Sequence, residues 1–300
     1  MEDFAQQLIN GLSIGSIYAL IALGYTMVYG VLRLINFAHG EIYMIGAYAG
    51  FYCATFMLTS EMPLLVFVTT LFVAMLVCGL LAAGIEFVAY RPLRSQPRLT
   101  ALITAIGVSL LLQSGGQIVF GADPRFFPTL IPARNLLDGT GLTLTLIDAM
   151  IFSLTLVLLA ILFWIVKFTK LGRAMRAVSE NPQVASLMGV NVNRVISLTF
   201  VIGAMLAGVA GVLVGVSKPK IDPLMGLMPG IKAFAAAVLG GIGNIPGAVV
   251  GGLIIGLAET FVASREGWSQ YRDAIAFVIL IAILLIKPTG IFGKSVSEKV

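Results

Sequence analysis

The side chains most able to do chemistry in the 300-residue sequence are four ionisable ones within apolar stretches. They are His39, Glu41, Glu86 and Glu259. An ionisable group in an apolar segment is costly, so it commonly marks a site for an ion, a proton or a polar substrate. His39 is the only histidine, and Cys53 and Cys78 lack the clustered spacing of metal ligands. The sequence therefore predicts no metal site and no Ser, His and Asp constellation for catalysis.

The positions of these four residues suggest different roles. His39 and Glu41 follow a polar interruption, where their side chains could either cap backbone groups or line a pathway. Glu86 is close enough to Arg91 to reach a charged surface, which favours a structural role. Glu259 follows a Gly-rich segment without a nearby base in the sequence, and both roles stay open for it.

The composition indicates what surrounds these residues. Hydrophobic residues make up 59% of the chain and charged residues 11%, and the mean hydropathy is +1.01. A soluble protein carries about 25% charged residues, so the chain is predicted to lie in a lipid bilayer as one membrane domain, residues 1–300. The net charge of +5 comes from short segments between apolar runs, which favours lipid and topology signals over nucleic-acid binding.

The predicted fold is an all-α polytopic membrane protein with about eight transmembrane helices. A spanning helix needs roughly 20 apolar residues. The stretch 231–263 is too long for one span and is interrupted at 240–247, so it predicts either two crossings or a broken, re-entrant pair. The other predicted spans are 8–31, 36–58, 64–90, 99–121, 146–167, 195–216 and 273–287.

A possible internal repeat places breaks in corresponding positions. The Gly-spaced helix 11–24 precedes the break 36–41, and the Gly-spaced helix 203–215 precedes the break 243–247. Paired interruptions of this kind point to a translocation site, where free N–H groups at a half-helix start could meet a carboxylate. The predicted substrate pathway comprises Asn36, His39, Gly40, Glu41, Gly243, Asn244, Gly247 and Glu259.

Loop charges predict the orientation through the positive-inside rule. Segments 91–98 and 167–194 are rich in Arg and Lys, so they are expected in the cytoplasm. Segments 122–145 and 264–273 balance acids against bases and are expected outside. Lys287, Lys294 and Lys299 predict a cytoplasmic carboxyl terminus, and three crossings before Arg91 place the amino terminus outside.

The largest polar insertion, residues 170–194, predicts two short helices. Asn181 suits a helix cap, Pro182 the first helical position and Gly189 the position after the end. The two-turn helix between them carries Val184, Leu187 and Met188 on one face. A helix this short is marginal alone in water, so this face either packs on its own bundle or enters a groove of a partner protein.

Several motifs in this order carry a resemblance to a known family. The sequence resembles the permeases of branched-chain amino-acid ABC importers, and in particular their H-type permease. The motifs span nearly the whole chain: Asn36-Phe37-Ala38-His39-Gly40-Glu41, Tyr90-Arg91-Pro92, Thr104-Ala105-Ile106-Gly107, Gly172 to Gly189, Leu239 to Ala248, and Pro288-Thr289-Gly290-Ile291.

The resemblance implies a non-enzymatic subunit in the bacterial inner membrane. Its implied partners are a second permease, two cytoplasmic ATPases that bind ATP and Mg, and a periplasmic binding protein that delivers leucine, isoleucine or valine. Gln183, Val184, Ala185 and Gly189 stand in register with the importer coupling motif, Glu-Ala-Ala followed after three residues by Gly, although two of the three leading residues differ. The predicted coupling residues are Glu180, Val184, Ala185, Leu187, Met188 and Gly189.

Two other classes of protein are weighed against this one. A secondary transporter would bind a coupling ion at Glu41 or Glu259, and its uptake would need an ion gradient instead of ATP. A membrane enzyme is disfavoured because no nucleophile or metal cluster is present. The sequence also lacks a Walker A loop, because the glycines of 290–295 are too close together to form one.

Overall fold

The computed structural model describes residues 2–57, 62–94, 96–132, 134–139 and 141–293, and its architecture is all-α, as predicted. Two strands of two residues each, β1 (Arg125–Phe126) and β2 (Lys220–Ile221), pair antiparallel. The α-helices of the described part are α1 Glu2–Leu32, α2 His39–Phe56, α3 Pro63–Ile85, α4 Arg98–Phe120, α5 Leu146–Phe168, α6 Lys170–Glu180, α7 Pro182–Leu187, α8 Val192–Ser217, α9 Leu227–Gly240, α10 Ile245–Ala263 and α11 Arg272–Ile286.

Seven helices in the described part are long and apolar enough to cross a membrane: α1, α3, α4, α5, α8, α10, and α11 with the 3₁₀ turn before it. Two more are less typical. α2 is less apolar because it contains His39, Glu41 and three glycines, and α9 has only 14 residues, about 21 Å of helix. The long stretch 231–263 is thus two helices, α9 and α10, joined by a turn at 241–244.

The two ends of the bundle differ in charge. At one end, Arg33 after α1 shares a cavity with Lys167 and Arg176, and Arg94 after α3 donates to Asn193 at the start of α8. We call this the basic end. At the opposite end β1 pairs with β2, and Gln6 donates a 2.9 Å hydrogen bond to the Thr143 carbonyl. The residues that were predicted to be cytoplasmic and that the structure describes gather at the basic end, while Lys294 and Lys299 lie outside the described residues.

The helices divide into a buried centre and an exposed periphery. In the most apolar 18-residue window of α1, 89% of residues are buried, whereas the corresponding values are 11% for α4, 17% for α5 and 6% for α11. The peripheral helices expose apolar side chains that water would not tolerate over so large an area. Lipid or another membrane chain must therefore surround them.

Glycines set the distances between the central helices. A Cβ built on Gly203 of α8 would lie 3.2 Å from the Gly24 carbonyl oxygen of α1, and one built on Gly252 of α10 would lie 2.6 Å from the Ala19 nitrogen. Side chains at these positions would separate the helices. Small residues such as Gly252 and Gly256 of α10 therefore allow close helix packing.

The central helices form an inverted repeat. α1 runs to the basic end and is followed by the break 33–38, α2 and α3; α8 runs away from the basic end and is followed by the break 218–226, α9 and α10. α1 packs on α10 as α3 packs on α8. The predicted repeat is thus present, but its second break was placed wrongly: 218–226 corresponds to 33–38, whereas 243–247 forms the turn before α10 and its first residues.

An ion cluster joins four helices at the opposite half of the bundle, and of its charged members Lys232 and Glu259 are buried while Arg272 and Asp273 are partly exposed. Lys232 of α9 contacts the Glu259 carboxylate of α10 at 2.9 Å and also pairs with Asp273. Arg272 pairs with the same Glu259, and the Tyr18 hydroxyl of α1 donates to it at 2.7 Å. Two cations and two carboxylates leave the cluster neutral. Neutrality lowers the free-energy cost of burying Lys232 and Glu259 in a membrane.

We expect Lys232→Met to lower the free energy of unfolding by about 3 kcal/mol, because Glu259 would stay fully buried with one cation fewer. The thermal unfolding midpoint of the purified protein in detergent measures this. Lys287→Met is the matched control, since Lys287 is exposed and such changes stay within about 0.5 kcal/mol.

The charge balance gives a second arm to this experiment. The double variant Lys232→Met/Asp273→Asn removes one cation and one carboxylate, so the remaining pair of Arg272 and Glu259 is neutral. We therefore expect the double variant to regain part of the stability that Lys232→Met loses. Equal stability of Lys232→Met and the native protein would show that the cluster does not brace the bundle.

Candidate functional site

The break before α2 is held by one amide. The Asn36 side-chain oxygen accepts from the Ala38 N–H at 3.2 Å and from the Tyr90 hydroxyl at 2.8 Å, and Asn36 is buried. Tyr90 closes the π-helical turn Glu86–Tyr90 at the end of α3. Asn36 thereby fixes the position from which α2 starts inside the bundle, and its side-chain oxygen is occupied by protein donors.

His39 and Glu41 lie in the first turn of α2, and each is only 1% exposed. The His39 ring meets the Tyr25 ring edge-on, with centroids 4.8 Å apart. The N-cap residue Ala38 makes no side-chain cap at the start of α2, whereas the His39 ring hydrogen-bonds the Ile21 backbone of α1. His39 Nε2 and Glu41 Oε2 have no hydrogen-bond partner among the described residues. Unpaired buried polar atoms are expensive, so these two are the strongest candidates to meet a polar ligand.

The starts of α2 and α9 meet beside these residues, at what we call the glycine contact: Gly40, Gly226 and Gly230. A Cβ on Gly40 would lie 2.5 Å from the Gly226 carbonyl oxygen and 3.1 Å from the Gly230 Cα, and one on Gly226 would lie 2.7 Å from Glu41 Oε2. Two half-helix starts therefore meet next to an unpaired carboxylate. Arrangements of this kind form the substrate sites of many transporters.

The second predicted group, Gly243, Asn244 and Gly247, lies elsewhere. The Asn244 side chain caps α10 by accepting from the Gly247 N–H at 2.9 Å, and it donates to the Phe292 carbonyl at 3.1 Å. Gly243 and Asn244 line a cavity of about 1090 Å³ at the basic end. We call this cavity the vestibule. Gly247 does not line it, because it packs against Gly240, so the predicted pathway residues do not form one site.

The two remaining buried acids are paired. Glu259 lies in the ion cluster, whose bases come from residues 27 positions before it and 13 after it. Sequence reasoning missed Lys232, although it is an ionisable residue in the apolar stretch 231–263. Glu86 pairs with Arg94 and lies 3.7 Å from Arg91, which confirms its predicted structural role.

The insertion 170–194 forms two helices, as predicted. The Asn181 side chain accepts from the Gln183 and Val184 N–H groups, Pro182 occupies the first turn of α7, and Gly189 adopts a φ of 84° just after it. The insertion lies at the basic end, where the α6 residue Arg176 lines the vestibule.

Helix α7 presents opposite faces to the bundle and to its surroundings. Val184, Leu187 and Met188 are 53, 87 and 79% exposed, and Glu180 before α7 is also exposed. Ala185 is 3% exposed because it packs against the bundle. The expectation that Ala185 lies in the outward contact is therefore wrong, since its face of α7 is the one that seats the helix on its own chain.

Comparison with known proteins identifies the family. Residues 7–284 match the family described as branched-chain amino acid transport system / permease component. The chain is 46% identical to the high-affinity branched-chain amino acid transport system permease protein BraD of Pseudomonas aeruginosa, over 99% of this chain and 98% of that protein. It is 44% identical to the permease protein LivH of Escherichia coli K12, again over 99% of this chain and 98% of that protein.

A more distant relative is a probable branched-chain amino acid transport permease protein LivH of Methanocaldococcus jannaschii. It is 29% identical over 98% of this chain and 94% of that protein. No solved structure matches the chain. The family match covers most of the chain, and the bacterial relatives cover almost all of it, so the chain belongs to the family of permease components of branched-chain amino acid transport systems.

Proposed function

We propose that this chain is the translocation subunit of an ATP-driven importer of branched-chain amino acids. The family membership and the names of the relatives support the substrate class. The observation that carries the proposal is the short helix α7 at the basic end, which exposes Val184, Leu187 and Met188 while Ala185 seats it on the bundle. An apolar knob held rigidly outside the membrane suits the groove of a partner protein.

The proposed assembly contains a second permease, two cytoplasmic ATPases and a periplasmic binding protein. The exposed faces of α4, α5 and α11 leave room for the second permease as well as lipid. ATP and Mg bind to the ATPases, consistent with the missing Walker A loop in this sequence, and this chain catalyses no reaction. It is one permease domain, residues 1–300, with the coupling loop 170–194 in the cytoplasm.

The basic end faces the cytoplasm of a cell with an inner membrane, and the carboxyl terminus lies on the same side. Support comes from Arg33, Arg94, Lys167 and Arg176, which gather at this end, because basic residues are retained on the cytoplasmic side. Closure of the ATPases around ATP would move α7, and the movement would pass through α6 to the vestibule, which Arg176 lines.

Inside the bundle, the glycine contact is the proposed gate. Separation of the starts of α2 and α9 would open a route past Glu41, whose unpaired Oε2 could hold the ammonium group of an amino acid. The positive ends of both half-helices could hold the carboxylate. Release then leads to the vestibule beside Gly243 and Asn244.

Leu187→Glu tests the coupling helix. Leu187 is 87% exposed, so the bundle should fold normally, but an unpaired charge would enter an apolar contact. We expect association with the ATPases to weaken about 100-fold, equivalent to about 2.7 kcal/mol, and ATP-dependent uptake to fall with it. Co-purification and uptake into proteoliposomes measure both.

Two variants serve as controls for this prediction. Gln183→Glu adds the same charge on the same helix at the position where the coupling motif has Glu, and it should bind the ATPases normally. Ala185→Glu should instead lower thermal stability, because Ala185 packs against the bundle. Normal ATPase association of Leu187→Glu would show that α7 is not the docking helix.

Cysteine labelling tests the orientation. In a Cys53→Ala, Cys78→Ala background, a Cys at exposed Ser186 should react with an impermeant maleimide only from the cytoplasmic side, and a Cys at exposed Glu266 only from outside. Labelling of the two positions from the reverse sides would overturn the topology.

Glu41→Gln tests the gate, because it preserves shape and removes the charge. We expect uptake to fall about tenfold, the loss of one charge-assisted hydrogen bond, with ATPase association unchanged. Glu266→Gln, an exposed acid, is the control. Normal uptake by Glu41→Gln would exclude Glu41 from the pathway, and native uptake driven by an ion gradient without ATP would instead support a secondary transporter.

A further inference from the structure

A second cavity lies between the four central helices, on the opposite side of the glycine contact from the vestibule. α1, α2, α8 and the start of α9 enclose it, and its volume is about 180 Å³. Met225 and Pro229 line it, directly beside Gly226 and Gly230 of the glycine contact. A drug-sized ligand needs about 300–1000 Å³, so the cavity suits a smaller molecule, with room for about six waters at about 30 Å³ each.

The wall of this cavity is divided into an apolar and a cationic part. Ile14, Ile17, Val214 and Met225 form an aliphatic side. Lys218 and Lys220 also line the cavity, where they are exposed to its surroundings, and neither forms an ion pair with a carboxylate among the described residues. Lysines that form no ion pair, in a cavity also lined by aliphatic side chains, match a ligand with one anionic end and one branched hydrocarbon end.

The backbone of the segment that carries the two lysines is fixed. Lys220 belongs to β2 and pairs with Phe126, and the Pro219 carbonyl accepts from the Phe127 N–H at 2.7 Å. The segment that carries the cations is therefore fixed before a ligand arrives, which lowers the entropy lost on binding. Lys218 is exposed, but partial desolvation and the nearby Arg272 lower its pKa while Glu259 opposes the shift, so a carboxylate placed beside it would stabilise the charged amine.

Polar groups for the rest of a zwitterion lie close by. Tyr43 lines the cavity and is within electrostatic range of Asp222, a half-buried carboxylate in the break before α9. Tyr18 also lines the cavity but donates to Glu259, so it is already committed to the ion cluster. Asp222 does not line the cavity and accepts from the Leu224 N–H at 3.0 Å, so its negative charge would act on an ammonium group near Tyr43 from a distance.

We propose that this cavity is a binding site for an aliphatic α-amino acid, with its carboxylate at Lys218 and Lys220 and its side chain between Ile17, Val214 and Met225. The inference rests on the proposed function, because it gives the importer a substrate site in the permease itself. A substrate held there waits beside the closed glycine contact. Its hydrocarbon side would discriminate among side chains after delivery of the substrate to the permease.

Photo-leucine, a diazirine analogue of leucine, tests the site in the reconstituted importer complex without the binding protein. We expect adducts on cavity residues, suppressed by excess leucine, and labelling about tenfold weaker in Lys218→Gln/Lys220→Gln, as for the loss of a charge-assisted contact. Lys218→Arg/Lys220→Arg should retain labelling. Arg265→Gln, an exposed cation at the same end, should not change it.

The experiment distinguishes failure of the proposed amino-acid site from failure of the proposed ATP-driven import. Absence of adducts in the cavity, adducts that leucine does not suppress, or full labelling of the double Gln variant would overturn this site, even if the native complex imports leucine with ATP. Labelling as expected, in a complex whose uptake needs an ion gradient and not ATP, would retain the site and reject the proposed energy source.

The size of the cavity gives an independent test. Val214→Phe fills part of it, so uptake of leucine should fall about tenfold and more strongly than uptake of alanine, as expected for methylene-scale discrimination in an apolar pocket. The basal ATPase activity of the complex checks that the variant has assembled. An unchanged ratio of leucine to alanine uptake in an assembled complex would overturn the assignment.

Discussion

A bilayer core offers no hydrogen bonds, so every backbone break and every charge at that depth must be satisfied by the protein itself. This constraint explains why the two breaks, 33–38 and 218–226, lie among the central helices and not on the periphery. Asn36 satisfies the Ala38 N–H, and Asp222 accepts from the Leu224 N–H at 3.0 Å. The long apolar helices α4, α5 and α11 contain no such breaks and can face lipid.

The same constraint separates the buried ionisable groups into two kinds. Glu259 and Lys232 neutralise each other with Arg272 and Asp273, and they tie α9, α10 and α11 together. His39 and Glu41 each keep an unpaired atom at the glycine contact. Charges that are fully paired brace the bundle, whereas unpaired polar atoms at a contact between two half-helices are available to a substrate that passes. The proposed gate therefore lies where the protein leaves its own polar groups unsatisfied.

The proposed coupling between the ATPases and the gate requires that helices α6 and α7 pack firmly against the bundle. Met175 and Val178 of α6 and Ala185 of α7 are buried against the bundle, while Leu187 and Met188 point away from it. A partner that moves α7 would thus move the basic end of the bundle with it, because no flexible linker separates them. The inverted repeat then gives two structurally related half-helices, α2 and α9, that such a movement could separate.

The sequence by itself determined the features that depend on local pattern. Hydropathy and helix signals predicted the membrane class, most spans, the break before His39, and the cap, first turn and end of α7 at Asn181, Pro182 and Gly189. Motif order predicted the family. The predictions of spans and helix ends succeed because the length of an apolar run, a capping side chain and a glycine at positive φ each depend on residues that are adjacent in the sequence.

Only the tertiary structure decided which distant residues meet. It paired Glu259 with Lys232 and Arg272, turned Ala185 toward the bundle, and made 218–226, not 243–247, the counterpart of the first break. No sequence pattern carries this information, because ion pairs and close glycine contacts depend on how helices pack across the bundle. Burial of a charge favours the nearest partner in space, and for Glu259 those partners lie 27 residues before it and 13 after it.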